Sequence, residues 1–273
     1  MNSNLSLNPY SSNPNIIGII PARMASTRFP GKPLAKILGT PMIGHVYFRS
    51  KMCKILNEVY VATCDKKIAD YIRSIGGKPV MTADTHERAS DRTAEAMLKI
   101  ENQTGMKIDI VVMIQGDEPM LYPEMIEEAV KPLLNNKEIQ VVNLMALLKS
   151  VQEHEDPNEV KVVADQNSFA LYFSREPIPS RKKGTKEVPM YKQVCIIPFR
   201  RNFLIKFNNL APTPLEMVES IDMLRILEHG YKVKMVFTKF ETYSVDTPED
   251  LKKVENLMKK DQLVKTYIKA NKI

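Results

Sequence analysis

The chain of 273 residues has no tryptophan, only three cysteines and only four histidines. Cys53, Cys64 and Cys195 are too few for a disulfide framework. With no CxxC pair among them they argue against a structural zinc site; reduced, mostly buried thiols are the expectation. No apolar run approaches the ~18–20 residues of a membrane span. The opening stretch MNSNLSLNPYSSNPN carries neither a cationic nor an apolar signal-like segment. A soluble cytoplasmic protein with no membrane partner is the resulting expectation. Gly-x-Gly-x-x-Gly and the P-loop Gly-Lys-Ser/Thr are both missing where a phosphate loop would sit, which weakens dinucleotide-binding and P-loop hydrolase readings. Aromatic residues make up 7%. That is little with which to stack bases, so the excess of 39 Lys and Arg over 32 Asp and Glu does not read as a nucleic-acid surface.

What is present has ordinary globular proportions: 44% hydrophobic and 26% charged residues. Residues 1–15, rich in Asn, Ser and Pro, read as a disordered leader. Asn15–Ile20 is a short β-branched run suited to a buried parallel strand. Helices are predicted near Met42–Cys53, over Lys66–Ile75, over Ser90–Asn102 with Ser90 as N-cap, and over Pro123–Leu134. Strands at Glu58–Thr63, Lys78–Met81 and Asp109–Ile114 alternate with them. This rhythm specifies βαβ units and an open α/β sheet with flanking helices. Past Ile139 the pattern changes. Val141–Leu148, Val160–Val163, Ala170–Phe173 and Val194–Phe199 read as strands with no helix between them, an antiparallel extension over about 140–213 within one domain spanning 16–260. Residues 180–190 read as a polar Lys-rich loop. A single helix is predicted over Pro214–His229, a strand over Val233–Phe237 and a helix over Pro248–Lys260. The last residues, 261–273, read as a solvated basic tail.

Three loops carry chemistry. Pro21–Lys32 directly follows the first strand, where ligands bind in open α/β sheets. It holds Arg23, Arg28 and Lys32 among small residues that let backbone amides approach an anion. Gln115–Pro119 (QGDEP) closes the fourth strand, so Asp117 is placed to hold Mg²⁺ beside a phosphate loop. Asp246, in Val245–Asp250 (VDTPED), has two readings that can coexist: a second metal carboxylate, or part of a helix start that Pro248 opens with Asp246 or Thr247 as N-cap.

In order, the segments IIPARMASTRFPGKPL, SDRTAEA, QGDEPM, DPNEVKVV, ALYFSREPIP, PLEMVESIDMLRILEHG and VDTPEDL resemble the 3-deoxy-manno-octulosonate (Kdo) cytidylyltransferases, over about Ile16–Leu257. The resemblance implies a fold like that of the nucleotide-diphospho-sugar transferases, with an open mixed sheet and a small antiparallel subdomain, assembled as a homodimer. It also implies transfer of CMP from CTP to an acidic sugar with release of pyrophosphate, in lipopolysaccharide or capsule synthesis. Carried over residue by residue, Arg23, Lys32, Asp117 and Asp246 are catalytic, and Asp117 and Asp246 hold Mg²⁺. Pro21, Ala22, Arg23, Arg28, Lys32, Ser90, Asp91, Arg92 and Gln115 bind CTP. Arg175, Gln193, Glu219, Asp222 and Met223 face the acidic acceptor, and Asn158 and Lys161 fall in motifs on the sugar or phosphate side. The chain departs from the family pattern at Gln193 (usually His), at Asp222-Met223 (usually Glu-Gln) and at Ala89 (usually Gly). The changes at Gln193 and Asp222-Met223 point to an altered acceptor pocket, with Kdo, an amino-Kdo, a nonulosonic acid or a phosphorylated molecule as alternatives, and the Cβ added at Ala89 bears on the choice of base. The four histidines read as structural, and a non-catalytic nucleotide binder is disfavoured because both metal carboxylates are kept.

Overall fold

The computed structural model describes residues 13–25, 28–184 and 189–268. Nearly all of the expected leader, the centre of the Lys-rich loop and the end of the expected tail lie outside the described residues. The elements run β1 (Ile16–Ala22), β2 (Lys36–Ile37), β3 (Thr40–Pro41), α1 (Met42–Lys51), β4 (Glu58–Thr63), α2 (Lys66–Ser74), β5 (Lys78–Met81), α3 (Ala89–Thr104), β6 (Ile110–Ile114) and α4 (Pro123–Asn135). There follow β7 (Val142–Leu147), α5 (Val151–Glu155), β8 (Lys161–Ala164), β9 (Ala170–Ser174), β10 (Tyr191–Val194), β11 (Ile196–Arg200), α6 (Arg201–Asn208), α7 (Pro214–Glu219), α8 (Met223–Glu228) and β12 (Lys234–Phe237). The chain then ends with α9 (Pro248–Met258) and α10 (Gln262–Ile268). Two compact units result: Asn15–Ile126 with the chain from Thr242 onward, and Glu127–Glu241. No helix among the described residues is long and apolar enough to cross a membrane.

In the first unit, parallel strands pair in the order β6-β1-β4-β5. All seven residues of β1 are buried, as its unbroken apolar run requires of a central strand covered on both faces. The chain moves outward from β1 to β5 and then crosses back to β6 on the far side of β1. The strand order therefore reverses between β1 and β6, the point where open α/β sheets bind ligands. In the second unit the order is β12-β7-β10-β8-β9. The pairs β7–β10, β10–β8 and β8–β9 are antiparallel, and β12 joins β7 in parallel.

Several expectations are corrected. Ser90 is not an N-cap: α3 begins at Ala89 with Arg88 in the cap position, and Ser90 is buried in the first turn. The helix expected over Pro214–His229 is two helices. Ser220 adopts a left-handed backbone, φ 52°, and closes α7. The break is stabilised by a buried bidentate pair, with Arg225 Nε and Nη2 donating to Glu216 at 2.7 and 2.5 Å. The middle region does contain helices, α5 and α6, and the strand expected over Val194–Phe199 is interrupted at Cys195 between β10 and β11.

The solvated tail is also corrected as far as Ile268. Val264 and Tyr267 of α10 are buried in a cluster with Ile37, Met42, Val245, Val254 and Met258. At its centre the Tyr267 hydroxyl meets His45 Nδ1 at 2.8 Å and accepts from Arg49 Nε at 3.2 Å, while His45 Nε2 lies 2.8 Å from the Ile37 carbonyl. The arrangement suits a neutral ring with its proton on Nε2. Burial, with the Arg49 charge nearby, pulls the His45 pKa down to about 4. The folded form therefore resists a proton that the unfolded chain takes up near pH 6.5. Stability is whole above pH 6.5 and falls by up to about 3 kcal/mol as the pH drops to about 4. Urea denaturation across that range should show this slope, and His45→Gln should flatten it.

Candidate active site

The basic loop leaves β1 at Ala22 and is shaped before it meets anything. The Asp65 carboxylate accepts the Met24 amide at 2.8 Å, so the side chain at the start of α2 serves the loop instead of capping its own helix. The loop closes where the Gly31 amide donates to the Met24 carbonyl at 3.2 Å. Gly31 sits at φ +77°, a left-handed conformation that glycine takes without strain. This turn delivers Lys32 into the first unit, with its side chain 13% exposed.

Lys32 Nζ then meets three oxygens: Asp117 Oδ2 at 2.9 Å, Asp246 Oδ1 at 3.2 Å and the Val245 carbonyl at 2.8 Å. Arg28 Nη2 adds a second cation to Asp246 Oδ1 at 3.0 Å. The two carboxylate segments are joined directly by the Val245 amide, which donates to the Asp117 carbonyl at 2.9 Å. Burial alone would lower the Lys32 pKa, but Asp117 and Asp246 outweigh it and hold the pKa above the ordinary lysine value. Gly116 makes the approach of β1 and the QGDEP loop possible. A Cβ there would stand 3.0 Å from Ile43 Cδ1 and 3.3 Å from the Pro21 carbonyl. Asp246 is free for this cluster because Thr247 takes the cap. Thr247 Oγ1 accepts the Asp250 amide at 3.1 Å, and Asp250 accepts the Thr247 amide at 2.9 Å.

Two carboxylates aimed at one ammonium form a place for a cation. Among the described residues no group of three or more His, Cys, Asp or Glu could hold a metal ion. Asp117 and Asp246 instead match the habit of Mg²⁺, which takes one or two carboxylates and completes its shell with phosphate oxygens and water.

Other sequence-predicted residues divide. Pro21 and Ala22 end β1, Gln115 follows β6, and Arg23 extends from the loop with Nη1 3.5 Å from the His86 carbonyl. Asp91 is half-buried in the first turn of α3. Arg92, expected to meet the nucleotide, is buried and directed inward. It donates to Thr82 Oγ1 at 2.5 Å and to the Ala83 and His86 carbonyls at 3.2 and 3.3 Å. Its work is to hold the 82–86 loop. Sequence reading missed the partner in that work, Glu95, which accepts from the Ala83 amide at 2.9 Å and meets His86 Nε2 at 2.5 Å. Although burial opposes ionisation, Lys99, the Ala83 amide and His86 bring the Glu95 pKa down to about 2. Its spacing from Arg92, three residues along one helix face, was the available signal.

The residues assigned to the acceptor all lie in the second unit. Glu219 accepts from Ser174 Oγ and from the Arg175 amide, both at 2.8 Å. Arg175 donates to the carbonyls of Glu219 at 2.7 Å, Pro157 at 2.8 Å and Ser220 at 3.4 Å. Asp222 stands in the cap position of α8. Gln193 Nε2 donates to Asn143 Oδ1 at 2.6 Å, and Asn143 is fully buried. Met223 is fully buried as well, and its thioether packs. Lys161 is buried and bound to the Asp156 and Arg175 carbonyls at 2.7 and 2.5 Å, and Asn158 donates to Asp156 Oδ1 at 3.0 Å.

The family described as Cytidylyltransferase matches residues 17–239. The 3-deoxy-manno-octulosonate cytidylyltransferase of Geobacter metallireducens is 44% identical over 258 residues, covering 91% of this chain and 99% of that protein. A solved structure of CMP:2-keto-3-deoxy-manno-octonic acid synthetase complexed with CTP superposes with a TM-score of 0.82 at 36% identity, covering 90% of this chain and 98% of the other. A putative glucose-1-phosphate thymidylyltransferase from Bacillus anthracis, at 18% identity and a TM-score of 0.65 over 90% of this chain and 96% of its own, shares the fold. The fold is that of the nucleotide-diphospho-sugar transferases.

Replacing Lys32 with methionine removes the cation between Asp117 and Asp246 and should cost about 2 kcal/mol through like-charge repulsion and lost hydrogen bonds. Millimolar Mg²⁺ should restore more thermal stability to Lys32→Met than it adds to the parent chain. Scanning fluorimetry checks this, and no Mg²⁺-dependent shift would show that the carboxylates do not share a cation site.

Proposed function

The chain belongs to the 3-deoxy-manno-octulosonate cytidylyltransferase family, and on that footing we propose that it transfers CMP from CTP to Kdo and releases pyrophosphate. The observation that carries the reading is the convergence of Asp117 and Asp246 on one ammonium beyond the paired strands β1 and β6, where the strand order reverses. Phosphoryl transfer of this kind needs positioning and charge neutralisation more than covalent help. The anomeric hydroxyl of the sugar attacks the α-phosphorus in line. The bond from that phosphorus to the bridging oxygen breaks, and pyrophosphate leaves with the electron pair. Arg23, Arg28 and Lys32 bind the triphosphate, and their charge favours departure of pyrophosphate. Asp117 and Asp246 would hold Mg²⁺, which when bound supplies Lewis-acid polarisation of the α-phosphate and a lower pKa for the attacking hydroxyl.

The 89–92 segment lies beside cytosine and ribose in this reading, with Arg92 and Glu95 also holding the neighbouring 82–86 loop in shape. Arg175, Gln193, Glu219 and Asp222 serve the acidic acceptor. The altered-acceptor alternative loses one support, since Met223 is buried and its difference from Gln is a packing change. Gln193 remains, with its amide engaged by Asn143. A homodimer belongs to the same reading and is supported by the exposed apolar residues Leu147, Leu171, Met217, Val218 and Phe237 of the second unit. So does a cytoplasmic setting, where CTP is available.

Pyrophosphate release from CTP should require Mg²⁺ and Kdo. Asp117→Asn and Asp246→Asn should each lower kcat by about 100-fold or more while circular dichroism stays unchanged. Full turnover by either variant would remove that residue from the mechanism. A panel of amino-Kdo, nonulosonic and phosphorylated acceptors turning over faster than Kdo would overturn the choice of acceptor.

A further inference from the structure

The first unit buries a full positive charge, Arg49, away from the carboxylate pair. Arg49 of α1 has no exposed surface, yet its guanidinium reaches three separate segments. Nη1 donates to the Leu121 carbonyl at 3.2 Å, in the loop that carries Asp117. Nη2 pairs with Asp261, at the elbow between α9 and α10, whose side chain is 6% exposed. Nε donates to the Tyr267 hydroxyl at 3.2 Å, on α10. The rings of Tyr122 and Tyr267 lie against the guanidinium carbon, each 5.8 Å away. Each end of this network leads back to the site. Leu121 is tied to the turn after Asp117 by its own amide, which donates to the Glu118 carbonyl at 3.2 Å. Asp261 follows α9, the helix that begins directly after Asp246 and Thr247. An eleven-residue helix is a stiff spacer of about 16 Å, so fixing its far end fixes the direction from which Asp246 approaches.

We propose that Arg49 and Asp261 are a positioning pair that sets the separation of Asp117 and Asp246, with the C-terminal helix α10 as the clamp that closes it. The proposal rests on the reading of Asp117 and Asp246 as the metal carboxylates. One guanidinium tying both carboxylate-bearing segments has a consequence for metal affinity that a purely structural ion pair lacks.

The test measures Mn²⁺ binding by the full chain, from the electron paramagnetic resonance signal of free Mn²⁺, with CTP present and acceptor absent. Asp261→Asn should bind Mn²⁺ about tenfold more weakly, the size of effect seen when groups that orient metal ligands are lost, and Asp261→Glu should recover part of it. Affinity within twofold of the parent in a folded Asp261→Asn chain would overturn the proposal. If Asp261→Asn does not fold, Tyr267→Phe is measured instead. It keeps the ion pair, removes one of the three guanidinium contacts and should weaken Mn²⁺ about threefold; unchanged affinity there would overturn the proposal equally. Asp117→Asn is run alongside. If it binds Mn²⁺ as tightly as the parent, the metal-carboxylate reading itself has failed and the clamp falls with it. If Asp117→Asn is weak and Asp261→Asn is normal, only the clamp is wrong.

Discussion

Two carboxylates, Asp117 and Asp246, are brought together with one lysine between them, and much of the first unit follows from that constraint. Like charges at this range repel, so the arrangement persists only if a cation stands between them. Lys32 supplies it, and the geometry needed to bring its ammonium there accounts for the loop before it. Gly31 takes a left-handed turn, the Gly31 amide closes on Met24, and Asp65 leaves its own helix to anchor the Met24 amide. The carboxylates arrive by equally specific means. Asp117 follows a buried strand through a glycine at which a Cβ would crowd Ile43 and the Pro21 carbonyl. Asp246 stands free because Thr247 and Asp250 cap the next helix between themselves.

This part of the molecule was legible in the sequence because it is local. The run Asn15–Ile20 reads as a buried strand, and a basic loop after it with an acidic loop after β6 puts opposite charges at one edge of a parallel sheet. The pairing of Asp117 with Asp246 was not legible from spacing. It depends on tertiary folding, so the loops offered it as one of two readings of Asp246 and the resemblance chose it. For Arg92 and Met223 the structure adds what the motif lacks. A motif fixes which residues occur together, but burial decides whether a side chain faces a ligand or its own backbone. Arg92 turns inward to three acceptors of the 82–86 loop, and Met223 packs.

The misreadings of local structure have equally specific physical causes. The region Pro214–His229 has a continuous apolar pattern with no Gly or Pro to interrupt it, yet the chain turns left-handed at Ser220 because the buried Arg225–Glu216 pair and the Arg175 contacts stabilise the break. The C-terminal lysines suggested solvent, but Val264 and Tyr267 are spaced to share one face of α10, and that face is packed. Charge count described the exposed side of the helix, while two residues determined where it lies.

The contacts of Arg175 have a thermodynamic consequence. A free arginine side chain carries about 2 kcal/mol of rotamer entropy, which a ligand ordinarily has to remove on binding. In this chain three carbonyl oxygens, from Pro157, Glu219 and Ser220, already hold the guanidinium in one orientation. That entropy is lost once, when the second unit folds. In the proposed acceptor role of Arg175, an anion would meet a cation whose direction is fixed in advance, and its affinity would reflect charge and shape with little deduction for ordering the side chain.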